Sequence, residues 1–300
     1  MTKKEIKNTS VSVKQKLLNY ARQNSLELNS VLLQYIQERF LFRISKSKYS
    51  NNFILKGALL FLAHDVSRFR PTKDIDLLGS AIPSKTDTLK KIFEEIASIN
   101  YDDGLAYNPG SVSAEEIVEQ DEYHGIRIKL SASLGTARQQ VQIDIGFGDT
   151  IYPGSLTMDY PTLLEFEAPH LKVYSRESAV SEKFEAVVSL GVATSRMKDF
   201  YDIHFFASGT EFDLLTLHTA LIETFKNRQT PIESRSVIFD DKFKNDKNLN
   251  SLWTAYIKKR SLNLNISFAE IVSKIDAFIE PACTENKSMK TWTYKDWLWV

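Results

Sequence analysis

Cysteine is almost absent from this 300-residue sequence: Cys283 stands alone, so an internal disulfide is excluded and a reducing compartment is expected. Glycine (11 residues) and proline (8 residues) are too few for a long low-complexity linker. No apolar run approaches the roughly 20 residues that a membrane span needs; the best, around 53–63 and 186–193, are far shorter. The start, Met-Thr-Lys-Lys-Glu, is basic, but polar sequence follows where a signal peptide needs an apolar stretch, so a cytoplasmic protein with no membrane partner is expected. Neither sign of charge is in excess. Lys plus Arg is 38 and Asp plus Glu is 38, which argues against indiscriminate polyanion binding.

The remaining composition, 43% hydrophobic and 25% charged, is that of a globular chain. Its charge is unevenly placed. Residues 1–73 carry 14 basic and 4 acidic side chains, 74–182 carry 8 and 19, and 183–300 carry 16 and 15. A basic helical arm over 1–50 beside an acidic middle suits phosphates meeting a metal site; unlike solvated faces would give the same counts.

Hydrophobic spacing predicts helices over 12–23 and 29–44, the second with Val31, Leu32, Tyr35, Ile36, Phe40 and Leu41 on one face and Asn29 or Ser30 as its cap. Strands are expected at 53–55, 75–78, weakly at 117–122, at 126–133 and at 141–145, with helical stretches at 57–63 and 86–98. After a proline-marked loop at 153–169 the pattern turns helical, over 178–190, 197–207, 214–227, 251–259 and 268–279. The expected architecture is therefore an α+β domain over 1–170 and a helical domain over 171–300.

The sharpest local feature is Arg70-Pro71-Thr72-Lys73-Asp74-Ile75-Asp76-Leu77-Leu78-Gly79. Residues two apart on a strand share a face, so Asp74 and Asp76 aim both carboxylates one way. Like charges so placed repel unless a cation lies between them, and hard oxygen ligands suit Mg²⁺ or Mn²⁺. A solvated strand-end pair would look the same in isolation. Upstream, Gly57 follows Lys56 where a strand gives way to a helix, either a place for phosphate or a merely structural boundary. Downstream, Asp144 alternates with Val141, Ile143 and Ile145 and faces away from the core, as a metal ligand, a general base or a merely solvated residue.

In 178–190, Lys183 falls within the stripe of Val180, Phe184, Val187 and Leu190, where it either snorkels outward or serves an anion. Beyond it, Arg196, Asp199 and Asp202 share a helix face, as a surface ion-pair ladder or as part of a site. Near the C-terminus, Lys226, Arg228, Lys242, Lys244, Lys247, Lys258, Lys259 and Arg260 lie close in sequence to Phe243, Trp253 and Tyr256. Such mixtures can grip single-stranded RNA, although helical spacing favours the core for Trp253 and Tyr256. The last stretch, with Trp292, Trp297 and Trp299, either docks on the body or faces a partner. The five histidines are scattered, and no His-Glu-x-x-His, Walker loop, dinucleotide-binding glycine motif or nucleophile elbow is present.

These motifs together closely resemble the AbiEii/AbiGii toxin family, nucleotidyltransferase-like toxins of type IV toxin–antitoxin and phage-abortive-infection systems, related to the MenT toxins. The likeness runs through 38–43, 53–58, 70–77, Gly125-Ile126-Arg127, 142–149, 181–186 and 195–202. The resemblance implies a DNA polymerase β-like nucleotidyltransferase domain with a mixed sheet, followed by a mainly helical domain supplying Lys183 and Asp199. It implies Mg²⁺ or Mn²⁺ on Asp74, Asp76 and Asp144. The NTP, GTP or a pyrimidine nucleotide, would be held by Lys56, Gly57, Ala58, Thr72, Lys183, Arg196 and Asp202. Asp199 matches the family aspartate, with Asp202 close enough to leave the choice open. Many nucleotidyltransferases have Gly-Ser, and MenT-like relatives Gly-Gly-Thr, where this chain has Gly57-Ala58-Leu59, so either backbone N–H groups, Lys56 or Thr72 replace the missing hydroxyl or the donor nucleotide sits differently. The implied function is transfer of a nucleoside monophosphate to an acceptor hydroxyl, the 3′ end of tRNA, with a cognate antitoxin as partner. The alternatives are a protein or small-molecule acceptor, or a module that binds nucleotide without turnover.

Overall fold

The computed structural model describes residues 3–64, 72–119, 123–259, 264–284 and 289–300. Arg70, Pro71 and Arg260 lie outside these residues, as do 120–122 of the weakest expected strand. The chain forms two compact units, 1–148 with 156–173, and 149–155 with 174–300.

The first unit begins with α1 (Lys3–Gln23) and α2 (Leu28–Lys46), followed by β1 (Phe53–Lys56), a 3-10 turn at 57–59 and the single turn α3 (Leu60–Ala63). Then come β2 (Asp74–Gly79), α4 (Thr86–Ala97), β3 (Leu105–Tyr107), β4 (Ser113–Glu119), β5 (Tyr123–Leu134), β6 (Ala137–Phe147), β7 (Leu156–Asp159) and β8 (His170–Val173). Their strands make one sheet in the order β3-β5-β6-β2-β1-β8-β7, with β4 also on β5. The β2–β6 and β1–β8 pairs are parallel and the others antiparallel, so the sheet is mixed. α+β architecture with a helical C-terminal part is what the residue pattern predicts, and the mixed sheet is what the resemblance implies.

Alternation decides the two faces of this sheet. Ile75, Leu77, Ile128, Leu130, Ile143 and Ile145 are each at most 1% exposed, and α2 and α4 pack near them. Each such side chain removed from water contributes on the order of 2 kcal/mol. The residues between them carry the charge.

α2 is fastened by a buried polar hub. Asp103 Oδ2 accepts from Arg39 Nε at 3.0 Å and from Arg43 Nη1 at 2.7 Å, while Oδ1 accepts from Arg43 Nη2 at 3.0 Å. All three side chains are at most 1% exposed. Arg39 and Arg43 thus count towards the basic arm by sequence but are enclosed, because a buried aspartate needs them; they are not available to RNA. Glu27, not Asn29 or Ser30, stands at the N-cap of α2, and it makes no side-chain capping bond.

The second unit holds α5 (Arg176–Leu190), α6 (Met197–Gly209), β9 (Phe212–Asp213), α7 (Leu214–Asn227), α8 (Ser236–Phe239), α9 (Asp241–Lys244), α10 (Lys247–Lys259), α11 (Phe268–Cys283), β10 (Thr291–Thr293) and β11 (Leu298–Trp299). The strands form a small antiparallel sheet in the order β11-β10-β9. Trp292 and Trp299 are buried and pack on Phe278 of α11, so the last stretch docks on its own unit. Trp253 is buried and Tyr256 half-buried.

Strands after residue 150 depart from the expected helical tail. β7 and β8 fall within and beside the proline-marked loop, where four residues are too few to show a period. β8 is nevertheless central, since it extends the sheet beside β1.

Candidate active site

The charged face of the first unit is ordered by strand register. Lys56 of β1 stands opposite Asp76 of β2, Asp76 opposite Asp144 of β6, Asp144 opposite Arg127 of β5, and Arg127 opposite Glu115 of β4. Directly opposed residues share a face, so five strands present one charged row: a cation, two carboxylates, a cation and a carboxylate. One step along the strands, Asp74 lies opposite Gln142, which lies opposite Lys129. Asp74, Asp76 and Asp144 are all half-buried.

Gly57 closes round this row. Its φ is +69°, a conformation that favours glycine, and a Cβ there would lie 1.9 Å from Asp76 Oδ2 and 2.6 Å from its Cγ. The backbone at the end of β1 is thus drawn against the Asp76 carboxylate. Ala58 is buried in the same turn. Thr72 Oγ1 lies 3.5 Å from both the amide N and the carbonyl O of Asp74, so it sits at the entry to β2.

Asp144 has an occupied carboxylate. Arg127 Nε donates to its Oδ1 and Nη2 to its Oδ2, both at 2.8 Å. This bond, more than any other cause, raises the pKa of the Arg127 guanidinium above its ordinary value. Among the described residues no three His, Cys, Asp or Glu side chains converge into a metal-holding group. The donor set that fits a hard divalent cation is the Asp74–Asp76 pair: two oxygen ligands on one face, beside a backbone close enough that even a methyl group is excluded. Mg²⁺ ordinarily takes one or two carboxylates and fills its shell with water and phosphate oxygens.

In the second unit, Ser175 caps α5 through Ser178 N at 3.1 Å and fixes the start of the helix that carries Lys183. Lys183 Nζ donates to Asp202 Oδ2 at 2.7 Å and lies 3.5 Å from Asp199 Oδ1. Arg196 Nε donates to Asp199 Oδ2 at 2.6 Å. Asp199 and Asp202 are 1% and 0% exposed, so this is no surface ladder. Lys183 does not snorkel away: two buried carboxylates hold it, and the shorter bond belongs to Asp202.

Arg228, placed by sequence among basic residues suited to RNA, is instead enclosed by Asp149, Glu182 and Glu185 at 3.0, 3.4 and 2.8 Å. Three of the histidines have identified partners: His170 pairs with Asp159, His218 Nδ1 lies 2.8 Å from the Ala282 carbonyl oxygen, and His204 packs on Trp297. Arg127 is the site residue that sequence reasoning passes over. Its alternation with Ile126 and Ile128 shows its face, but nothing local names Asp144 as its partner.

A mixed sheet whose charged face carries two strand-borne aspartates beside a glycine turn has the residues that nucleotidyl transfer needs. The chain belongs to the AbiEii family, whose model, described as nucleotidyl transferase AbiEii toxin of type IV toxin–antitoxin systems, matches residues 39–274. It is therefore a member of a toxin family whose activity involves an NTP and a divalent metal and whose partner is an antitoxin. No curated protein matches it significantly. Among solved structures it is similar to JHP933 from Helicobacter pylori, at 12% identity, TM-score 0.49, and coverage of 86% of this chain and 93% of that one. It is also similar to an H. pylori protein described only provisionally as a nucleotidyltransferase, at 12% identity, TM-score 0.48, and coverage of 86% and 96%.

Proposed function

We propose that this toxin transfers a nucleoside monophosphate from an NTP, GTP or a pyrimidine nucleotide, to the 3′ hydroxyl of a tRNA. The observation that supports nucleotidyl transfer is the register that sets Lys56, Asp76 and Asp144 in one row with Asp74 one step along the same face, and the tRNA acceptor rests on the family resemblance. In the reaction the acceptor oxygen forms a bond to the α-phosphorus, the bond from that phosphorus to the bridging oxygen breaks, pyrophosphate leaves and the hydroxyl proton passes to a base.

Asp74 and Asp76 would hold a divalent cation, Mg²⁺ or Mn²⁺. When bound, the cation neutralises phosphate charge and polarises the reacting phosphoryl group. Lys56, the Gly57 and Ala58 backbone and Thr72 would line the phosphate side of the aspartates. Asp144, clamped by Arg127, would stand beside them. Within the second unit, Lys183 stands where the resemblance places the family's lysine, with Asp202 and Asp199 orienting it and Arg196 holding Asp199.

Purified protein incubated with Mg²⁺, each labelled NTP and total RNA should label a discrete tRNA-sized band, and Asp74→Ala should abolish it. Persistent labelling by Asp74→Ala would sink the site assignment. Label in protein or small molecules instead of RNA would replace the acceptor, and NTP binding without pyrophosphate release would replace turnover with binding.

A further inference from the structure

Helix α6 has two polar faces. Asp199 and Asp202 lie on the side that meets Lys183. His204 and Ser208 fall on the opposite side, since a helix turns by roughly 100° per residue. That second side borders an open cleft of about 880 Å³, whose other walls are α11 and the turn between β10 and β11. The size is that of a small-ligand site, about 300–1,000 Å³. All of the lining belongs to the second unit.

Three side chains in this cleft carry chemistry that the described residues leave unanswered. His204 is 9% exposed, yet among the described residues its ring makes no hydrogen bond. Burial, with Lys274 contributing, lowers its pKa to about 4, so at neutral pH the ring is neutral and offers one donor and one acceptor. Lys274 Nζ lies 4.3 Å from the Trp297 ring centroid and makes no ion pair among the described residues. Glu270, one turn earlier, keeps Oε2 on Ser267 N and Oγ, at 2.8 and 2.6 Å. Tyr294 is half-buried, and its ring meets no other ring among the described residues. The turn that carries it is held in place: Trp297 Nε1 donates to the Lys274 carbonyl oxygen at 3.1 Å, and Trp297 has a left-handed φ of +55°, uncommon for a residue with a side chain. An ammonium without a counter-charge selects an anion, and a ring without a stacking partner selects a planar group. A neutral imidazole matches a heterocycle edge that both donates and accepts. A nucleotide combines all three, whereas a peptide carboxylate would answer Lys274 alone.

We propose that this cleft binds a nucleotide, apart from the Lys183 face of α6, with the base on Tyr294, its edge on His204 and the phosphate on Lys274. The occupant is a 5′-phosphorylated nucleotide, either free or as an unpaired residue of an RNA strand. This site goes beyond the transfer reaction proposed above and does not depend on it.

Equilibrium dialysis of radiolabelled 5′-AMP against the full-length protein in EDTA tests the cleft without metal-dependent binding at the aspartates. AMP should bind, and Tyr294→Leu and Lys274→Met should each weaken it by about tenfold. Tyr294→Phe and Lys274→Arg, which keep the ring and the charge, should stay within about threefold of the unsubstituted protein. The tyrosine variants also cover the case in which Lys274→Met fails to fold. A 5′-phosphorylated single-stranded trinucleotide that competes about tenfold better than AMP makes RNA the source, and equal competition makes it free nucleotide. Absence of AMP binding overturns the inference and leaves the transfer reading standing, since that reaction is read with Mg²⁺. Adenosine binding as tightly as AMP also overturns it, because Lys274 would then meet no anion. So does AMP binding that Asp74→Ala abolishes and the cleft variants leave intact, which would belong to the aspartates.

Discussion

Gly57 and Asp76 act as one piece of the site although nineteen positions separate them. Gly57→Ala combines a left-handed φ of +69° with a Cβ 1.9 Å from a carboxylate oxygen. The conformational part alone should cost about 1 kcal/mol, read in urea denaturation. Relief of the overlap must shift Asp76, so nucleotidyl transfer should fall by about a hundredfold or more, measured with labelled NTP. Sequence reading reached this glycine for its phosphate-compatible backbone. It did not reach the closer reason, which is that a side chain there would occupy the space of Asp76, because only the antiparallel β1–β2 register brings the two together.

Pairs of elements decide what the same residue types do. Lys183 lies in an apolar stripe of α5, and α6 answers it with Asp202 at 2.7 Å and Asp199 at 3.5 Å, both enclosed. Removing a cation from such a set is expensive, since buried carboxylates lose a counter-charge. Lys183→Met should destabilise the protein by about 3 kcal/mol in urea denaturation, whereas Lys183→Arg should keep most of that stability. Asp202→Asn should cost more than Asp199→Asn, which retains a neighbour in Arg196 at 2.6 Å. Long periodic elements were legible: helices 214–227 and 86–97 and the alternating β5 emerge close to their expected bounds, and β6 extends the expected 141–145 to Ala137–Phe147. β7, β8 and the small C-terminal sheet were not, because strands of two to four residues carry no period and owe their pairing to distant chain.

At the scale of the whole molecule, acid and base should act on different units. Glu38, in the first unit, is buried, and burial pushes its pKa up to about 7 even though Oε2 accepts from Leu163 N at 2.7 Å. The folded protein therefore binds this proton more tightly than the unfolded chain. Its contribution is fully present below the ordinary glutamate pKa of 4.5 and is lost as pH rises through 7. His204, in the second unit, is buried beside Trp297, and burial lowers its pKa to about 4, with Lys274 contributing. Its contribution is present above 6.5 and lost as pH falls towards 4. Each effect is on the order of 3 kcal/mol. Hydrogen exchange followed from pH 4 to 8 should show the first unit weakening on the alkaline side and the second on the acid side. Glu38→Gln and His204→Gln should each flatten one slope.

The sequence by itself determined the class of this protein and the faces of its sheet. Asp-x-Asp on an alternating strand, Gly57 at a strand end and Asp144 between isoleucines place three carboxylates on the face opposite the core, since a pleated strand has a period of two whatever surrounds it. Tertiary structure decided which charges remain available. Register put Arg127 against Asp144, α6 put Asp202 and Asp199 against Lys183, and Asp103 drew Arg39 and Arg43 inward. The balanced total of 38 and 38 could not show this, because a count assigns no partners. Partners are chosen by which segments pack together, and a buried charge holds its place only where packing brings it a counter-charge.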